Sequence, residues 1–187
     1  MKTRLIILAA PSGAGKSSFV DRICSEEPRL VDTVTYTTRP MRRGESQGKP
    51  YHFVEKADFE RRVKENFFVE WAMVHENMYG TPMEQLTDAW KQQKCIIMDV
   101  DVQGAATFKE KFPDAAMVFI LPPSMEELRR RIIKRDGENA RDLDLRLRNA
   151  EAELRQASEF DILITNDNFE TAFAEFKKIV EDLLSDE

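Results

Sequence analysis

Residues 8–18 read LAAPSGAGKSS, and the fold is decided by this stretch. It continues an apolar run, Leu5, Ile6, Ile7 and Leu8, and sets small residues directly ahead of a Lys-Ser pair. A buried strand that stops at such a turn and gives way to a helix is the layout of a phosphate-binding loop. Gly13 and Gly15 let backbone N–H groups converge on a phosphate, Lys16 supplies a point charge at the outer phosphates, and Ser17 offers a hydroxyl to Mg²⁺. The loop comprises Ala10, Pro11, Ser12, Gly13, Ala14, Gly15, Lys16, Ser17 and Ser18. The pattern G-x-x-x-x-G-K-[ST] carries glycine where this chain has Ala10, and a small-residue turn that caps a helix is the competing reading.

Outward from the loop, apolar runs of strand length alternate with longer helical patterns. Arg4–Ala9, Cys95–Val100, Ala116–Leu121 and Ile162–Thr165 are short and rich in Ile, Val, Leu, Met or Phe, as strands buried on both faces of a parallel sheet are. Lys16–Glu26, Val102–Phe112, Met125–Arg135, Leu143–Ala157 and Asn168–Leu184 carry helical spacing. The expected fold is α/β, a three-layer α/β/α core with a parallel sheet. In such a doubly wound sheet ligands bind beyond the carboxyl ends of the strands, where Pro11–Ser17, Asp99 and Asp101 would lie.

Two stretches break the alternation. Residues 33–82 mix short β-like runs (Thr33–Thr37, Tyr51–Val54, Phe67–Val74) with turn residues and one short helical stretch, Ala57–Glu65, and read as an inserted, β-rich subdomain. Residues 136–142 are polar, contain Gly137 and lie between two Arg-bearing helices, which suits a mobile lid.

The composition bounds the function. A chain of 187 residues, 42% hydrophobic and 33% charged, is the size of one enzyme domain with a sizeable core. Its net charge of −6 argues against a duplex-nucleic-acid or anionic-membrane partner, so an anionic ligand must be small and gripped locally. There is no apolar run of about 20 residues and no secretory cleavage pattern, which points to the cytoplasm. Cys24 and Cys95 are far apart in apolar patterns and read as buried free thiols. His52 and His75 lack partners at metal-ligand spacing and read as surface or packing residues.

The motifs, in order, resemble those of bacterial guanylate kinases over almost the whole chain: APSGAGKSS, TTRPMRRGESQGKPYHF, FVEWA, MYGT, IIMDVDVQG, FILPPS, RLRNAEAEL and ITND. Family members often carry the same alanine at the Ala10 position. The resemblance implies transfer of a phosphoryl group from ATP to GMP, giving ADP and GDP, with Mg²⁺. It also implies a core (1–32, 83–135 and 147–187), a GMP-binding subdomain (33–82) and a helical lid (136–146).

It further assigns residues. Arg39, Arg42, Tyr51 and Tyr79 match positions that hold the GMP phosphate; paired guanidinium groups each donate two parallel bonds, and tyrosine hydroxyls add donors without excess charge. Guanine selection falls on Glu70, supported by Thr35, Thr81 and Asp101, because a carboxylate only accepts hydrogen bonds and guanine offers two adjacent N–H donors. Thr35 stands where the family usually has serine. Arg135 and Arg146 match the lid arginines that reach the transferring phosphoryl, with Arg131 a weaker match, so the catalytic set is Lys16, Arg42, Arg135 and Arg146. Asp99 ends its strand as a residue organising Mg²⁺ beside Ser17, directly or through water, and Asn166 and Asp167 resemble the adenine-side loop.

Most of these have bland alternatives. Arg129–Arg135 alone is a solvated basic face, Glu70 alone a solvent-facing strand residue alternating with Val69 and Trp71, and Asn166 and Asp167 alone turn formers. The competing function classes are a scaffold domain that binds phosphorylated peptides in the same pocket, and a different nucleotide kinase or small GTPase. Retention of Lys16, Ser17, Arg135 and Arg146 speaks against the first, and ITND is not the [NT]-K-x-D base-reading loop of a GTPase. Expected partners are GMP, with dGMP as a variant substrate, and no nucleic acid or membrane; monomer and homodimer both fit.

Overall fold

The computed structural model describes residues 4–42, 44–49, 51–74, 76–136 and 140–185, with backbone alone at 74, 135–136 and 140–142. The chain begins with β1 (Leu5–Ala9), α1 (Lys16–Glu26) and β2 (Leu30–Asp32). Short strands β3 (Tyr36–Thr37) and β4 (His52–Phe53), helix α2 (Lys56–Lys64) and the hairpin β5 (Phe68–Val74) and β6 (Asn77–Pro82) follow. The chain then alternates through α3 (Met83–Lys91), β7 (Cys95–Asp99), α4 (Val102–Lys111), β8 (Ala116–Leu121), α5 (Met125–Asp136), α6 (Ala140–Leu154), β9 (Ile162–Thr165) and α7 (Phe169–Leu184).

The main sheet is parallel, in the order β2-β7-β1-β8-β9. Its central strand is buried along its length, and the burial is two-sided with a period of two. Ile6 and Leu8 join one apolar cluster with Phe19 and Ile23 of α1 and Phe173, Phe176 and Val180 of α7. Leu5, Ile7 and Ala9 join the other, with Leu86 of α3 and Phe108 of α4. A continuous apolar strand is therefore required, since both faces are covered by helices. Phe19 and Phe176 meet at 5.5 Å in an edge-to-face contact, and full burial of each ring contributes about 1.5–3 kcal/mol.

The expected α/β core is present, with one more strand than the four foreseen. β2 is only three residues long, too short to show a periodicity, and pairs with β7 from Leu30↔Cys95 onward. The segment expected as an inserted, β-rich subdomain carries a second, mixed sheet in the order β4-β3-β6-β5. Its strand β6 was not foreseen, because Gly80 and Pro82 read as turn residues. Helix α3 was also missed, although Met83, Leu86, Ala89 and Trp90 recur at helical spacing behind Pro82. α6 begins at Ala140 and ends at Leu154, where Leu143–Ala157 was expected, and Ala157–Glu159 form a separate 3₁₀ turn. Of the predicted lid, residues 137–139 lie outside the described residues.

Candidate active site

The loop after β1 turns through two left-handed glycines, Gly13 (φ 94°) and Gly15 (φ 98°), conformations that a residue with a Cβ enters only with strain. Both positions are also crowded. A Cβ on Gly13 would stand 2.9 Å from Ile132 of α5, and one on Gly15 would stand 3.0 Å from the Asn166 side-chain amide. The turn is closed by the Ala14 N–H donating to the Pro11 carbonyl at 3.0 Å. Gly15 then caps α1, whose unpaired N–H groups and positive dipole end face the same opening.

Register places the next strand's acidic residue alongside. Leu8 pairs with Asp99 across β1 and β7, so the Ser17 hydroxyl donates to Asp99 Oδ2 at 2.8 Å. Lys16 Nζ donates to the Val100 carbonyl at 2.9 Å, one residue beyond β7. Asp101 caps α4, accepting from the Gly104 N–H at 2.7 Å.

This loop and the second sheet share one cavity of about 710 Å³, within the size range of small-molecule sites. Its walls include Lys16, Ser17 and Asp99 on one side and Thr35, Arg42, Tyr51, Glu70, Tyr79 and Thr81 on the other, with Asp101 and Arg146 between. The rings of Tyr51 and Tyr79 stand 5.8 Å apart, close to perpendicular. Burial, with the charge of Asp99 adding to it, raises the Tyr51 phenol to about 12, so it remains a donor at neutral pH.

Glu70 is not the solvent-facing strand residue that strict alternation suggests. Val69 and Glu70 are 1% and 9% exposed while Trp71 is 46% exposed. Val69 packs into the core beside α4, and Glu70 faces the cavity from the opposite side of β5. The two residues lie on opposite faces, as alternation along a strand requires; the face that carries Glu70 is covered by the cavity rather than open to solvent. Directly across the pair, the Thr81 hydroxyl donates to Glu70 Oε1 at 3.2 Å. Burial raises the Glu70 carboxyl to about 7, against the opposing pull of the Thr81 bond and Lys111.

Some candidates sit elsewhere than the opening. Arg39 is 8% exposed and is not a wall of the cavity; its guanidinium lies in a fork with the Glu45 carboxylate. Asn166, 5% exposed, turns inward and donates from Nδ2 to the Ala14 carbonyl at 2.8 Å, bracing the loop from behind. Its Oδ1 is buried and has no hydrogen-bond partner among the described residues. Asp167 offers its carbonyl at 3.4 Å to Arg131, which itself lines the cavity and also pairs with Glu127 at 2.8 Å. Leu128 and Ile132 are fully buried beneath Gly13, so α5 divides into an apolar face on the loop and a polar one that carries Arg131. The side chain of Arg135 lies outside the described residues.

The expected free thiols are present: Cys95 is buried and Cys24 half-buried, and burial raises both to about 12. His52 packs on the Tyr36 ring at 4.6 Å; His75 lies outside the described residues. Among the described residues no helix is long and apolar enough to cross a membrane.

A profile described as guanylate kinase matches residues 2–183. A guanylate kinase of Bdellovibrio bacteriovorus is 63% identical over 185 residues, which is 99% of this chain and 100% of that one. The chain belongs to the guanylate kinase family. A second member, from Syntrophotalea carbinolica, is 43% identical over 94% of this chain and 84% of its own. The crystal structure of the guanylate kinase from Anaplasma phagocytophilum superposes over 100% of this chain and 89% of that chain, with a TM-score of 0.81 at 29% identity.

Two polar residues of the cavity wall, and a third that pairs with Arg39 outside it, were not singled out from the sequence. Asn149 and Glu153 of α6 join Arg146 in that wall, and their spacing of three and seven from Arg146 was a readable sign that they share its face. Burial raises the Glu153 carboxyl above its ordinary value, against the opposing pull of Lys16 and of the Ser12 backbone N–H, from which it accepts. Glu45, the partner of Arg39, had no such sign, because the turn that folds it back is not periodic.

Proposed function

We propose that this chain transfers the γ-phosphoryl group of ATP to GMP, giving ADP and GDP. The observation that carries the reading is the single cavity in which a phosphate-binding loop faces a buried carboxylate and hydroxyl pair, Glu70 and Thr81. A buried carboxylate needs donors, and the N1–H and exocyclic amine of guanine supply two side by side; adenine would strand it. Thr35 and Asp101 border the same base site, and dGMP, which carries the same base and phosphate, is a second candidate acceptor.

The phosphate of GMP would be held by Arg42, Tyr51 and Tyr79, with Arg39 behind them, and the phosphates of ATP by residues 10–18. Asn166 and Asp167 flank the side where adenine would lie. A GMP phosphate oxygen attacks the γ-phosphorus, a new P–O bond forms, and the bond to the bridging oxygen breaks with its electron pair leaving on ADP. The attacking oxygen is already anionic at neutral pH, the second phosphate pKa being about 6, so no general base is needed. What remains is alignment and neutralisation of charge on the equatorial oxygens. Lys16, Arg42, Arg135 and Arg146 are the cations for that task.

Ser17 and Asp99, held at 2.8 Å, fit Mg²⁺, which takes hard oxygen ligands and is commonly bound by one or two protein groups plus nucleotide phosphates and water. Bound there, the ion would neutralise charge on the ATP phosphates. Lys16, resting on the Val100 carbonyl, would exchange that acceptor for a phosphate oxygen. Residues 33–82 would form the GMP-binding subdomain and residues 136–146 the lid, on a core of 1–32, 83–135 and 147–187. The protein would work in the cytoplasm, as a monomer or a homodimer. A coupled ADP-release assay with ATP and, in turn, GMP, dGMP, AMP, UMP and CMP tests the reading. Turnover with the guanine nucleotides alone is expected; equal turnover of AMP would overturn it.

A further inference from the structure

The turn that carries Arg42 into the cavity is fastened by a carboxylate that the reaction itself does not need. Glu45 lies three residues beyond Arg42, and the two close a reciprocal turn. The Glu45 N–H donates to the Arg42 carbonyl at 3.1 Å, and the Arg42 N–H donates to Glu45 Oε2 at 2.7 Å. The same carboxylate occupies the fork of Arg39, accepting from Nη2 at 2.8 Å on Oε1 and from Nη1 at 3.1 Å on Oε2. Nη1 also donates to the Pro40 carbonyl at 2.9 Å. The guanidinium is held over the rings of Tyr51 and Phe53, 5.4 Å from each centroid.

Arg39 and Glu45 side chains are only 9% and 18% exposed. A surface ion pair contributes little, but a shielded, bidentate one fixes geometry. Arg39 is therefore a clasp with its plane against the Tyr51 and Phe53 rings and its N–H edge on Glu45, and Glu45 is the point where the clasp and the Arg42 backbone are tied together. Of this group, Arg42 and Tyr51 reach the cavity wall, while Arg39 does not.

We propose that Glu45 is a positioning residue for the acceptor's phosphate, acting through Arg39 and the Arg42 backbone to hold Arg42 and Tyr51 ready to receive a phosphate monoester. The inference rests on the reading of this cavity as the GMP site. A preformed site of this kind avoids ordering a flexible loop on binding, and the loss of its fastening is felt in affinity for the phosphate end of the ligand rather than for its base. Glu45→Gln keeps the shape but brings an NH₂ against donors of Arg39 or Arg42, and removes the charge that pairs the guanidinium.

The test compares wild type and Glu45→Gln in steady-state kinetics with ATP and GMP, and by calorimetry with GMP and with guanosine, which lacks the phosphate. The expected result is a KM for GMP raised about 10- to 100-fold, with the KM for ATP within about threefold and guanosine affinity unchanged, while kcat falls only as far as Arg42 is displaced from the transferring phosphoryl. An unchanged GMP KM in the variant overturns the proposal, as does equal weakening of GMP and guanosine, which would mean that Glu45 supports the fold of the whole subdomain. If Glu45→Gln does not fold, Glu45→Asp, which keeps the charge and shortens its reach, is put through the same comparison. A wild-type protein that binds neither GMP nor guanosine instead refutes the functional reading on which this one stands.

Discussion

Replacing Glu70 with glutamine removes one buried ionisable group while keeping its size, and the consequence for stability can be worked from the structure. Burial raises the Glu70 carboxyl from its ordinary 4.5 to about 7. The folded state thus holds this proton more tightly than the unfolded chain does, and folding stability falls as pH rises from 4.5 to 7. The cost is absent below 4.5 and complete above 7. At about 1.4 kcal/mol per pH unit, the interval amounts to about 3 kcal/mol. Glu70→Gln should therefore be more stable than wild type by about 3 kcal/mol at pH 8 and close to it at pH 4.5. Urea unfolding of both proteins at several pH values between 4.5 and 8.5 measures this. Carboxylates common to the two, including Asp32, which burial and the charge of Asp99 also raise to about 7, cancel in the difference. In the same variant kcat/KM for GMP should fall on the order of 10²-fold, as one charge-assisted acceptor is lost and a donor is turned toward a donor, while the poor activity on AMP changes far less. A stability difference that does not vary with pH would refute the burial argument, and an unchanged GMP-to-AMP ratio would mean that the base is read elsewhere.

Lys16→Ala should lower kcat by at least about 10²-fold with an intact circular dichroism spectrum, as loss of one strong electrostatic donor does; near-normal turnover would remove Lys16 from the catalytic set. Arg146→Ala should depress kcat while GMP affinity by calorimetry changes by less than about threefold, because an interaction confined to the transition state does not register in ground-state binding. Loss of GMP binding with unchanged kcat would assign Arg146 to the acceptor instead. Gly80→Ala should lower the urea midpoint, costing about 1–3 kcal/mol, since its Cβ would meet Phe68 at 2.9 Å and Phe59 at 3.0 Å in a ring pair already stacked at 4.5 Å.

The strand, loop and first helix were legible from the chain because each depends on neighbours in sequence. β1 needs only a run of apolar residues, the turn only glycines able to enter the left-handed region, and α1 only residues compatible with a helix. The same holds for β7, β8 and β9, whose two-sided burial leaves an unbroken apolar signature. β2 was invisible because three residues carry no period, whereas α3 had a readable one. The identity of the acceptor-side residues came from the order and spacing of motifs, which no single local pattern specifies.

Contacts between distant positions belonged to the tertiary structure. Ser17 meets Asp99 across 82 residues because Leu8 is in register with Asp99, and Asn166 meets the Ala14 carbonyl across 152. Alternation places Glu70 on the face of β5 opposite the core-packed Val69, but that this face borders a cavity and is buried, rather than open to solvent, depends on what the fold sets against it. Arg39 reads from the sequence as a phosphate ligand, and nothing in the spacing shows the carboxylate it pairs with. Only the turn that folds Glu45 back brings the two together, because a side chain's partner is set by what the fold brings within hydrogen-bond reach, and composition and spacing carry no record of that.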